Sequence, residues 1–125
     1  MLFPKGVKHL KERTAVSPDE FKASFQLGQR LEVRPFRVGK SQTGPNRKRP
    51  AGIIVTTLTT SNQVVSGFVP ISMIPRELWE ANLTEAIFGP RYSIRRYQAE
   101  IIDVVPEKQK LTFKLVEQLE PIPIL

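Results

Sequence analysis

The chain has no cysteine and a single histidine, His9. A disulfide framework, a thiolate zinc site and a cysteine nucleophile are therefore excluded, and the fold must be held by packing. A lone histidine in a basic N-terminal stretch offers neither a metal cluster nor a general base with an orienting partner. Gly39-Lys40-Ser41 has the spelling that closes a phosphate-binding loop, but the first glycine of that motif falls on Arg34. These absences predict a protein that is not an enzyme and takes no cofactor. No apolar run approaches the roughly 20 residues that cross a bilayer. The first residues, Met-Leu-Phe-Pro-Lys, turn basic at once and lack the apolar core of a signal peptide. The expected location is cytoplasmic, with no membrane partner.

One further absence is local. Between Glu32 and Glu77 there is no Asp or Glu, and the interval carries Arg34, Arg37, Lys40, Arg47, Lys48, Arg49 and Arg76. Ahead of it, six Lys/Arg face four acids, and after it six face eight, so the net charge of +7 resides in this middle interval. Such segregation creates self-repulsion that a polyanion lying across the region relieves. Nucleic acid is the first candidate.

With 125 residues, 40% of them hydrophobic, the chain holds one core. Ser17-Pro18-Asp19-Glu20 spells a capped helix start, with Phe21 and Phe25 on one face and Gly28 as the stop. From Arg30 the periodicity changes to two: Leu31 and Val33 alternate with Arg30, Glu32 and Arg34, and Pro35 marks an edge or a bulge before Phe36 and Val38. Gly39 to Pro50 reads as a long cationic loop. The β-branched run from Ile53 to Thr60 turns at Ser61-Asn62 into a third strand, Val64 to Ile71. Pro75 to Ala86 has the composition of a helix opened by proline. Arg91 to Val105 is long for one strand, and its alternation slips at Arg95-Arg96, which predicts a bulge or sharp bend. A turn over Pro106 to Lys110 then leads to strand five, Leu111 to Leu115.

Three strands, a helix and two strands predict a mainly β protein: a five-stranded OB-fold-like barrel with a helix between strands three and four and a short N-terminal helix. The expected organisation is a basic N-terminal segment (1–16), a nucleic-acid-binding domain (17–119) and an apolar, proline-containing tail (120–125). That tail docks either on its own core or on a second subunit, and it is the basis for expecting a homodimer.

Leu31-Glu32-Val33-Arg34-Pro35, the long basic Gly/Pro loop, the hairpin and the closing Gln118-Leu119-Glu120-Pro121 resemble the small single-stranded-DNA-binding proteins of filamentous phages, across roughly residues 31 to 121. The N-terminal segment through Gly28 and the Trp79 helix depart from that pattern. Gly67-Phe68-Val69-Pro70-Ile71-Ser72 and the stretch from Ala99 to Lys108 are similar to strands three to five of the RNA-binding OB repeats in the largest small-subunit ribosomal protein, with Pro70 where those repeats usually carry histidine. Both resemblances imply a barrel that holds a single strand; one implies DNA and the other RNA.

The candidate phosphate-binding residues are Arg34, Arg37, Lys40, Arg47, Lys48, Arg49, Arg95 and Arg96, since each neutralised phosphate releases counterions. The candidate base-stacking residues are Phe36, Phe68, Tyr92 and Tyr97, beside the cationic strands, where stacking contributes about 1–3 kcal/mol per base. Core packing is an equal expectation for each ring taken alone. Phe21, Phe25, Trp79 and Phe113 are assigned to the core. The function these features predict is binding of single-stranded DNA without sequence specificity, in phage or plasmid replication. Single-stranded RNA binding in translation or RNA turnover is the alternative within the same class. An adaptor that binds an acidic protein, anchored by Met73, Trp79 and the tail, is the alternative outside it.

Overall fold

A computed structural model describes residues 16–40, 50–78 and 93–123. Helix α1 (Pro18–Ser24) begins as its sequence dictates: Ser17 is extended, and its hydroxyl accepts the Glu20 amide at 3.2 Å. Glu20 does not reach back to close a capping box. Its carboxylate instead accepts the Ser61 hydroxyl, tying the helix to a distant hairpin. The helix also stops at Ser24, before the expected Gly28, because Phe25 turns extended and sends its ring into the core. There it meets Phe21 edge-on, with centroids 5.0 Å apart. Gly28 has a different task. At φ +81° it redirects the chain, and its amide donates to the Ile101 carbonyl at 2.8 Å.

Five strands follow in a closed barrel: β1 (Arg30–Lys40), β2 (Pro50–Leu58), β3 (Val64–Pro70), β5 (Tyr97–Val105) and β6 (Lys110–Gln118). Around the barrel the order is β1-β2-β3-β6-β5, with β5 returning to β1. All pairs are antiparallel except β3 with β6. The β2–β3 hairpin turns through Asn62 at φ 64°, and the Thr59 hydroxyl caps it by accepting the Gln63 amide at 3.0 Å. Strict alternation turns Ile53, Val55, Val65 and Val69 inward, where they meet Val33, Ala99, Ile101, Leu111, Phe113 and Leu115. Gly67 also points inward; a side chain there would collide with the Phe113 ring. Phe21 and Phe25, both buried, extend this core beyond the strands.

The long fourth strand breaks where its alternation slips. Arg95-Arg96 separates β4 (Ser93–Ile94) from β5, and β4 leaves the barrel to pair with β7 (Ile122–Pro123). Residues 122–123 of the tail are thus held by their own chain. The expected helix from Pro75 to Ala86 lies mostly outside the described residues; its described part, Arg76–Leu78, is a single 3-10 turn. Among the described residues α1 is the one α-helix, and no helix is long and apolar enough to cross a membrane.

Candidate nucleic-acid interface

The outward residues of β1, β2 and β3 form rows across the barrel surface. Arg37 lies opposite Ile54, Ile54 opposite Phe68, and Phe68 opposite Thr112 on β6. With strands about 4.8 Å apart, Arg37 and Phe68 are separated by roughly 10 Å of backbone. The neighbouring row runs Arg34, Thr56, Ser66.

Pro35, which has no amide proton to donate, precedes a bulge in β1. The register jumps from Pro35 to Arg37, leaving Phe36 unpaired and 65% exposed. The ring therefore stands out of the surface beside Arg37. Phe68 is half-buried and lies over two glycines. A methyl group on Gly39 would sit 3.1 Å from its ring and one on Gly52 2.8 Å from it. The absence of side chains at these two positions makes the seat in which the ring rests.

On the other side of Phe68 is a cleft of about 230 Å³, walled by Ile54, Ser66 and the turn that carries Lys108, Gln109 and Lys110. This turn is a 3-10 turn (Pro106–Lys108) closed by Gln109 in the left-handed region, and both lysines are exposed. Lys108 and Lys110 do not stand out in the sequence because they belong to the part where acids outnumber cations. The signal available is topological: the turn entering β6 borders β3 once these two strands pair in parallel.

The other candidates divide. Arg34 and Arg37 are exposed on the outer face, and Lys40 ends β1 at its edge. Arg47, Lys48, Arg49 and Tyr92 lie outside the described residues. Tyr97 is not a stacking residue: it is fully buried in the barrel. β5 alternates from Tyr97 through Ala99 to Ile101, all three buried, and Tyr97 has the inward parity of that row. Burial pushes its phenol above the usual value of 10.0, partly offset by the charge and hydrogen bond of Arg95. Arg95 and Arg96 are likewise committed within the protein. Arg96 donates to the Glu32 carboxylate at 3.0 Å and to the Glu120 carbonyl at 2.7 Å, which pins the β5 break to β1 and to the tail. Glu32 also receives Arg34 at 3.2 Å.

The opposite wall is mixed in sign: the outer side of β5 and β6 carries Glu100, Asp103 and Glu117 beside Lys110 and Lys114, and Glu100 is paired with Arg30 of β1. Among the described residues no group of three His, Cys, Asp or Glu side chains is placed to hold a metal. No protein-family model matches the chain, and no curated protein is similar to it in sequence.

Proposed function

We propose that this chain is an OB-fold protein that binds single-stranded nucleic acid without sequence specificity, DNA in the first place, in phage or plasmid replication. The barrel order, with β3 parallel to β6 and β1 closing on β5, is compatible with the OB fold, whose strand-two and strand-three face and flanking loops take up oligonucleotides. The observation that carries the reading is the row from Arg37 across Ile54 to Phe68, ending at a cleft bordered by Lys108 and Lys110. A cation, an aromatic ring and a second pair of cations in that order match the alternating demands of phosphate and base. Phe36 supplies a second ring beside Arg37.

The strand is drawn to this wall by charge and held by stacking on Phe68 and Phe36. Ile122 and Pro123 pair within the chain, so these two tail residues do not argue for the homodimer, while the adaptor reading keeps Met73, 37% exposed, as an anchor.

Fluorescence anisotropy of a labelled oligo-dT at about 50 and 200 mM salt tests the proposal. Alanine at Arg37, Lys108 and Lys110 together reduces the salt slope by about one for each phosphate that is no longer neutralised, and Phe68→Ala weakens binding by about 1–3 kcal/mol. No binding by the wild type at 50 mM salt overturns the reading. A preference for matched oligo-rU assigns the ligand to RNA, through the 2′-hydroxyl.

A further inference from the structure

A second cleft, of about 530 Å³, opens on the same wall one row further from Phe68, bounded by Leu31, Glu32, Arg34, Thr56, Leu58 and Val64. Leu58 and Val64 face each other across the β2–β3 hairpin and are 53% and 52% exposed. They form an apolar floor continuous with the Thr56–Ser66 row, next to a guanidinium. That combination suits a base lying flat with its phosphate on Arg34. In the free protein, however, Arg34 already has an anionic partner.

The two arginines on Glu32 are held unequally. Arg96 donates to Glu32 Oε1 at 3.0 Å and is fixed a second time by the Glu120 carbonyl at 2.7 Å. Arg34 donates to Oε2 from Nε alone among the described residues, at the longer distance of 3.2 Å, with 47% of its side chain exposed against 31% for Arg96. The carboxylate is therefore anchored by Arg96, and Arg34 is the partner able to swing. An exposed ion pair made through one such bond contributes little to stability and is readily exchanged for another anion.

We propose that this cleft is a second nucleotide subsite on the same track, that Arg34 is its phosphate ligand, and that Glu32 competes for Arg34 and so sets how readily the subsite fills. The proposal rests on the single-strand-binding reading above. Glu32 occupies the position of a phosphate on Arg34 until the strand displaces it.

A double-mutant cycle with labelled oligo-dT at about 50 mM salt tests it. Glu32→Gln, which retains a hydrogen-bond acceptor for Arg96, raises affinity roughly 3–10-fold and steepens the salt slope by about one. Arg34→Ala alone changes affinity by less than about twofold, since that charge is already neutralised. Combining the two removes the gain. A gain that survives loss of Arg34 overturns the proposal, because it is then the general effect of deleting one negative charge. Leu58→Asp, at an exposed position in the floor of the cleft beside Arg34, lowers affinity roughly tenfold by placing a like charge against the strand and a second carboxylate within reach of Arg34; unchanged affinity in that variant overturns the subsite. Wild-type protein that binds no oligonucleotide refutes single-strand binding itself, whereas a binding wild type whose affinity is moved by neither Glu32→Gln nor Leu58→Asp refutes the subsite alone.

Discussion

Tyr97 shows that an aromatic ring flanked by cations in the sequence can belong to the core. It stands in the inward row of β5 with Ala99 and Ile101, and Arg95 hydrogen-bonds its hydroxyl. A phenol whose folded-state pKa is raised supports the fold fully below its unfolded value of 10.0. That support is lost as pH climbs from there through the folded value. Urea midpoints measured between about pH 8 and 11.5 are expected to fall at the alkaline end in the wild type. Tyr97→Phe gives a shallower fall together with a loss of about 1 kcal/mol at the neutral end from the missing hydrogen bond. Phe68 takes the opposite side of the sheet. Its ring is outside because β2 and β3 are regular, and it is seated because Gly39 and Gly52 leave room beneath it.

At the level of elements, α1 does far more than its seven residues suggest. It buries Phe21 and leads directly into the buried Phe25, and its Ser24 hydroxyl accepts the Thr60 amide at 3.2 Å, so it locks the β2–β3 hairpin from below. Phe21→Ala is expected to destabilise the protein by about 3–5 kcal/mol in urea denaturation. Leu27→Ala, at a position 70% exposed, stays within about 0.5 kcal/mol. The hairpin itself was legible, because Ile53 to Thr57 is β-branched and Ser61-Asn62 favours a turn. So were the Pro35 bulge and the break at Arg95-Arg96, which interrupt the alternation visibly. The end of α1 was not legible, since a glycine four residues downstream imitates a helix stop and the pull of Phe25 toward the core is a tertiary effect. The place of Lys108 and Lys110 was hidden for the same kind of reason: their neighbours in sequence include acids, and their neighbours in space come from β3. The tail could have docked in cis or in trans on composition alone. Its pairing with Ser93-Ile94 depends on a partner nearly thirty positions away in the chain.

Across the described barrel, charge is uneven: arginines outnumber the single acid, Glu32, on β1, whereas Glu100, Asp103 and Glu117 on β5 and β6 stand among Lys110 and Lys114. With a net charge of +7, repulsion opposes compaction most at low ionic strength. Moving from about 10 to 150 mM sodium chloride, which shortens the screening length from roughly 30 to 8 Å, is expected to raise the melting temperature by a few degrees, read by differential scanning fluorimetry. A saturating oligonucleotide at low salt produces a larger rise, because it neutralises the same arginines and binds only the folded state. The barrel also has one parallel seam. β3 and β6 share the register pair Phe68 with Thr112 there, whereas the other neighbouring strands of the barrel run antiparallel. A ligand resting on Phe68 and reaching Lys110 would straddle that seam as a clasp straddles the edges of a collar, so a bound cargo would fasten the one join of the barrel whose strands run the same way.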